Sequence, residues 1–443
     1  MTDDDVVIKD RQLDIATSPD GIIYYGNNAE IRRLVPNPSN GSTSSSRLLF
    51  GILHSMRAKV GIITFGVAVI SLMSVATACG GGGNPFGVKS ELVTEADHPA
   101  AMAFAPDGRL FYAEQFTGSI RVVTAEGELR EEPFAQVEGA LYLEWGLTGL
   151  AVDPDFETNH YVYAFLTEPV DPDTPIGRPV VLRFTERNNQ GVDPEVIVDD
   201  LPETFPAAPG FNANGNIHFG PDGFLYVSLG DYDTPQLVQD LSTPEGKILR
   251  VSKDDGSPPD DNPFADDPEA DPRIFAYGFR EPFDFAFHPE TGQVYGSDNT
   301  PVSCEELNLI EAGANYGWPN VGEFPFEDCL AGDQVAAIHF FALEEMEPSD
   351  FLSAVLVSGL EFVSAGVYPL LGDSLLVCES DSQLMRRLVL TGSNFDQVAA
   401  DEEGADNVVV EDCMVDIATS PDGIVYYSNE TEIRRLVPQD TGQ

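Results

Sequence analysis

Beyond Asn84, apolar residues fall in short alternating runs broken by turn residues, with little of the three-and-four spacing that a helix needs. One unit recurs. It stands as MAFAPDGRLFYAEQFTGSIRVV (102–123), LAVDPDFETNHYVYAFL (150–166), IHFGPDGFLYVSLGD (217–231), FAFHPETGQVYGSDN (285–299) and VDIATSPDGIVYYSNETEIRRL (415–436). GVYPLLGDSLLVCESDSQLMRRLVL (366–390) is a degenerate member. Each reads as strand, Pro-Asp-Gly type turn, strand, then a polar loop towards a third strand. Proline presets φ and glycine admits positive φ, so a tight hairpin follows from the turn chemistry. Six units over residues 79–443 give about 61 residues each, the size of a propeller blade with long loops. The pattern predicts an all-β, six-bladed β-propeller.

The N-terminal part breaks this pattern. Residues 56–79, MRAKVGIITFGVAVISLMSVATAC, carry two positive charges, an apolar run and small residues before a cysteine, the order of a secretory signal. Ala76-Thr77-Ala78-Cys79 resembles a bacterial lipobox, with Cys79 as the lipidated first residue of the mature chain. An uncleaved membrane anchor is the alternative, because a run of roughly 19 residues can just span a bilayer. Glycines 80–83 begin a flexible tether assigned to residues 79–94, with the propeller at 95–443. Residues 6–36 align without gaps on 408–438, identical at roughly 22 of about 31 positions. Residues 1–55 therefore read as a duplicated remnant of the C-terminal blade plus a spacer, ahead of a start at Met56. Strand exchange by that copy is the other reading.

At 443 residues and 42% hydrophobic, the chain has ample material for a large core. Its 74 Asp and Glu against 23 Lys and Arg give a net charge of -51. Residues 1–78 carry seven acids and seven bases, so the whole imbalance lies in residues 79–443. That excludes nucleic acid as a partner and adhesion to an anionic membrane surface through polybasic segments. An acidic, lysine-poor surface fits either a high-salt environment or a plain acidic coat.

Several ordered segments then bear on identity: Trp145-Gly146-Leu147-Thr148-Gly149-Leu150, Asn216-Ile217-His218-Phe219-Gly220-Pro221-Asp222-Gly223, Gly246-Lys247-Ile248-Leu249-Arg250, Tyr277-Gly278-Phe279-Arg280 and Glu306 through Pro319. In order and spacing they resemble the soluble glucose/sorbosone dehydrogenase family over about residues 95–438. The resemblance implies a calcium-dependent, pyrroloquinoline quinone (PQQ) enzyme oxidising an aldose at C1 to the lactone, facing the periplasm or cell exterior. The implied partner is a sugar substrate or glycan, and the implied assembly a monomer or homodimer with a lipid anchor to the membrane.

In that family a general base takes the sugar hydroxyl proton while hydride passes to the quinone. The base is a His just before the Phe-Gly-Pro-Asp-Gly turn, and counting back from Phe219 puts Asn212 there. An amide has no basicity near pH 7, so Asn212 can orient a substrate but not deprotonate it. Arg280 matches the cofactor arginine, followed by Glu281 where the family has Asn. Thr300-Pro301 matches the Gly-Pro whose carbonyls hold the cofactor's calcium, and the fifth-blade lysine is replaced within Cys378-Glu379-Ser380-Asp381. A second Ca²⁺ site is implied at Glu306 with the Tyr316 carbonyl. These departures support a second function from another class, a non-catalytic propeller that binds a carbohydrate or protein. With Cys79 lipidated, four cysteines allow three pairings, and Cys304–Cys329 with Cys378–Cys413 is the expected set. His218 reads as a packed or rim residue rather than a replacement base.

Overall fold

In the computed structural model, the Pro-Asp-Gly turns close hairpins as their chemistry dictates. The Gly108 amide donates to the Ala105 carbonyl at 2.9 Å, and Gly108 sits at φ 89°. Gly223 and Gly423 repeat this at φ 82° and 85°, the type I turn with a left-handed third residue that joins short strands. Described are residues 14–17, 23–27, 30–34, 84–139, 144–170, 176–203, 212–213, 215–300, 305–319, 335–341, 355–399 and 407–439. Cys79, the 56–78 segment, Pro301, Cys304 and Cys329 lie outside them.

The chain divides into two units, Met1–Gly81 and Gly82–Gln443. In the first, Asp14–Thr17, Ile23–Asn27 and Glu30–Leu34 form a three-stranded antiparallel sheet, the duplicated sequence taking the strands its C-terminal copy takes. The second holds six four-stranded antiparallel sheets, the blades of the predicted propeller. Their first strands are Pro99–Phe104, Leu147–Val152, Ile217–Phe219, Phe285–Phe287, Val357–Val363 and Ile417–Thr419, for blades 1 to 6 in turn.

Blade 6 corrects one domain boundary. Val88–Glu95, mostly assigned to the flexible tether, is its fourth strand and pairs antiparallel with Glu432–Pro438, from Pro438↔Val88 to Glu432↔Glu95. The two ends of the propeller thus share one sheet, which closes the ring. The blade already has its four strands, so the strand-exchange reading of the N-terminal copy finds no vacancy here. Blade 5 gives a second correction: its first strand precedes the degenerate repeat, which covers only the second and third strands, Ser374–Glu379 and Leu384–Leu388.

Six hydrophobic clusters lie one at each interface between neighbouring blades. Alternation along a strand serves two interfaces at once. In Leu225–Leu229 the side chains of Leu225, Val227 and Leu229 pack towards blade 2, while Tyr226 packs towards blade 4. Both faces are buried, so the strand is apolar almost throughout. A disulfide joins Cys378 in blade 5 to Cys413 in the blade 5 to 6 connection, Cα–Cα 5.4 Å. Among the described residues no helix is long and apolar enough to cross a membrane.

Candidate functional site

Antiparallel order sends two kinds of connection to one end of the ring: those between second and third strands, and those from one blade to the next. The Pro-Asp-Gly hairpins lie at the other end. Asn212, Glu144, Arg280 and Glu281 sit in blade-to-blade connections, and Asp231, Asp233, Asp298–Thr300 and Asp381 in or beside second-to-third connections. Candidate chemistry therefore gathers on the face opposite the conspicuous turns.

Asp231 is the anchor of this face. Its Oδ1 accepts the Asn212 amide at 2.9 Å, its Oδ2 accepts the Trp318 indole N–H at 2.8 Å, and its own amide donates to the Arg280 carbonyl at 2.8 Å. Asn212 is buried at φ 45°, a left-handed conformation that asparagine tolerates. Gly230 is needed beside it, because a Cβ there would collide with the Asn212 carbonyl. Tyr232 and Asp233 follow at φ 51° and 55°, two strained residues in succession of the kind that collect at binding sites.

Arg280 is held tightly. Its guanidinium donates to the Asn299 carbonyl at 2.7 Å, approaches Glu281 at 3.5 Å and lies 5.9 Å from the Trp318 ring. The amides of Arg280 and Glu281 both donate to the Asp298 carboxylate, at 3.0 and 2.7 Å. Asn299 then ties blade 4 to blade 5 through two bonds with the Val357 backbone, 2.9 and 3.1 Å. Thr300 is buried next to it.

The surroundings of Arg280 are acidic. Its charge acts on Glu144, Asp233 and Glu305 as well as Glu281. Burial, then the charge of Glu281, raises the Glu144 carboxyl well above its ordinary range. Burial and Asp231 push Asp233 up to about 6, and burial foremost pushes Glu305 up to about 7. In blade 5, Arg386 is engaged by Glu379 at 2.6 Å. These residues do not fit a quinone tricarboxylate: the one guanidinium is already bonded to protein, and the groups around it are carboxyls rather than the cations a trianion needs.

The second-calcium expectation fares differently. Glu306 lies directly across the sheet from Asp298, and burial, then that neighbour, pushes Glu306 up to about 8. Two buried carboxylates facing each other suit a hard cation by donor chemistry. Glu306 Oε2 accepts the Asn308 amide at 3.1 Å. At Tyr316, whose carbonyl is the other expected ligand, the side chain serves the fold, with its hydroxyl donating to the Leu309 carbonyl at 2.7 Å and its ring stacked on Phe279 at 4.6 Å. Among the described residues no three acidic, His or Cys side chains converge tightly enough to chelate a metal unaided.

His218 bonds Asp284 at 2.8 Å on the inner strand of blade 3, away from Asn212. Glu144 and Glu305 carried no expectation from the sequence, and Asp231 and Trp318 stood there only as motif residues of the family resemblance. Glu144 and Asp231 fall in the connections that blade counting sends to this face, which is the signal that could have found them.

Solved glucose and aldose sugar dehydrogenases share this propeller fold. The glucose/sorbosone dehydrogenase family profile matches residues 96–437, and the chain belongs to that family. It is similar to an aldose sugar dehydrogenase of Escherichia coli, 26% identical over 343 residues, 76% of this chain and 88% of that one. A Thermus thermophilus oxidoreductase, described as a glucose dehydrogenase, superposes with TM-score 0.66 at 30% identity, over 79% of this chain and all of that one. Hedgehog-interacting protein of Mus musculus is 29% identical over 245 residues, 49% of this chain and 34% of its own.

Proposed function

We propose that this chain is a carbohydrate-binding propeller that keeps the sugar-dehydrogenase framework without its quinone redox chemistry. The observation that carries this is Asn212: at the position of the family's base stands a buried amide already donating to Asp231. General acid–base catalysis contributes about 100- to 10,000-fold, and an amide cannot supply it. The acidic setting of Arg280 supports the same reading. Support for a carbohydrate comes from the half-buried Trp318 ring beside carboxylates and an amide, a flat apolar face with hydrogen-bonding groups at its edge.

The chain has two tryptophans, Trp145 in the connection from blade 1 to blade 2 and Trp318 in the third-to-fourth-strand connection of blade 4, whose indole reaches Asp231, so intrinsic fluorescence reports on the site. Aldoses and short glycans are expected to change it saturably, and Trp318→Ala to abolish the response. Absence of any saturable saccharide response sinks the carbohydrate reading. The other reading, PQQ-dependent oxidation of an aldose to its lactone, is favoured by Arg280 in the cofactor position. It replaces ours if aldoses reduce a dye in the presence of PQQ and Ca²⁺.

Calcium is proposed at Glu306 beside Asp298, and is checked by a Ca²⁺-dependent rise in melting temperature that Glu306→Gln removes. Export, with lipid attachment at Cys79, is also proposed, for a protein that is a monomer or homodimer. Fatty-acid labelling of expressed protein, lost in Cys79→Ser, is the corresponding test.

A further inference from the structure

Two carboxyls are tied to the backbone around Asn212. Glu144, in the connection from blade 1 to blade 2, accepts the Ala213 amide on its Oε2 at 3.3 Å. Asp233 follows Tyr232, whose amide donates to the Asn212 carbonyl at 3.2 Å, and its own amide donates to Asp231 Oδ1 at 2.9 Å. The same Asp231 oxygen receives the Asn212 side chain, so one short chain of hydrogen bonds sets both carboxyls around the position of the family's base. Neither is sealed in the core. Glu144 and Asp233 are half-buried, as are Arg280 and Trp318. Asp233 Oδ2 has no hydrogen-bond partner, and such a group calls for an explanation. The two carboxyls also differ in their surroundings. Glu144 faces Glu281, Asp233 and Arg280, and burial, then the Glu281 charge, biases it towards the protonated form. Asp233 faces Asp231 and Arg280; burial, then Asp231, pushes it up to only about 6, so it is mostly ionised at pH 7. A carboxylic acid and a carboxylate at one site are the two halves of general acid–base catalysis.

We propose that this site interconverts the anomers of a reducing aldose, with Glu144 as general acid and Asp233 as general base. The inference rests on the carbohydrate reading and adds a reaction to it. Asp233 takes the proton of the anomeric hydroxyl while an O1 electron pair forms the C1=O1 double bond. The C1–O5 bond breaks with its electron pair on the ring oxygen, and Glu144 supplies the proton that O5 needs. The open-chain aldehyde turns about C1–C2, O5 attacks the other face of C1, and both protons return to the carboxyls they came from. Nothing is oxidised or reduced, so the reaction needs no hydride acceptor. The amide at Asn212 is then no handicap, because the proton leaves to its neighbour Asp233 instead.

The test follows the optical rotation of freshly dissolved α-D-glucose with the full chain at pH 7, without PQQ, alongside tryptophan fluorescence. The approach to anomeric equilibrium is expected to accelerate in proportion to protein concentration. Glu144→Gln and Asp233→Asn are each expected to cut the protein-dependent rate by about 100-fold or more. Both keep the shape of the side chain, and asparagine tolerates the φ of 55° found at Asp233, so both variants are expected to retain the tryptophan response. In the unaltered protein the rate is expected to rise with pH through about 6 as Asp233 ionises, and to fall again at higher pH as Glu144 gives up its proton. Methyl α-D-glucoside, which has no anomeric hydroxyl, is expected to bind and inhibit. A saturable tryptophan response without acceleration overturns the catalytic proposal and leaves the carbohydrate reading standing. Neither response nor acceleration overturns both. Acceleration that persists in both variants, or that shows no pH optimum, overturns the roles given to Glu144 and Asp233.

Discussion

Asp284→Asn is expected to loosen the ring at its axis. Asp284 is 1% exposed, and its carboxylate holds three blades together. Oδ1 accepts the Asn216 amide and the His218 Nε2–H, each at 2.8 Å, and Oδ2 accepts the Leu360 amide at 2.7 Å. An asparagine fills the same space, but whichever way its amide turns, an NH₂ faces a donor. Leaving a buried donor unsatisfied costs about 1–3 kcal/mol. The expected loss is therefore roughly 1–3 kcal/mol, a sizeable share of the ~5–15 kcal/mol by which folded domains are stable. His218 is 31% exposed at its side chain, so water can replace Asp284 as its partner, and His218→Gln is expected to cost less than about 1 kcal/mol. Urea unfolding at fixed pH measures both as midpoint shifts at constant slope. A loss below about 1 kcal/mol for Asp284→Asn, or an equal loss for His218→Gln, would refute the idea that this carboxylate is the hub.

Three further outcomes are expected. Burial raises the axial carboxyls, Glu361 from an ordinary 4.5 to about 7 and Asp416 well above its usual range, so the folded state binds protons more tightly than the unfolded chain. Stability should then fall as pH rises from about 5 to about 7 and level off above, by roughly 2–3 kcal/mol from Glu361 alone; a melting temperature that climbs over that window contradicts this. Cys413→Ser breaks the bridge to Cys378 across 35 residues, for an expected loss of about 2–4 kcal/mol, checked by thermal melting with and without reductant. Gly230→Ala forces its methyl onto the Asn212 carbonyl and should abolish the tryptophan response to saccharides, while circular dichroism still reports a β-fold.

The fold was legible because the turn chemistry is local. Pro106-Asp107-Gly108 and its counterparts declare a hairpin within a few residues, and their spacing counts the blades. The features that were missed depend on distant partners. Val88–Glu95 acquires its strand identity from Glu432–Pro438, more than 300 residues away, and lies beside a glycine run that reads as a tether. Val357–Val363 is followed by Gly366-Val367-Tyr368-Pro369 rather than a Pro-Asp-Gly turn, so its hairpin carried no signal. At the site, Asn212 and Arg280 were found by counting from a motif, whereas Glu305 differs from Glu306 only in which neighbouring blade its face meets. That distinction exists only once the blades are packed.

The central claim is that the family framework persists here without its quinone. Titration of the full chain with PQQ and Ca²⁺, followed by the cofactor's absorbance and by equilibrium dialysis, tests it most directly. The expected result is no saturable binding up to about 100 μM, in line with one engaged guanidinium among four carboxyls. Micromolar or tighter binding, with the bound quinone reduced on addition of an aldose, would contradict it.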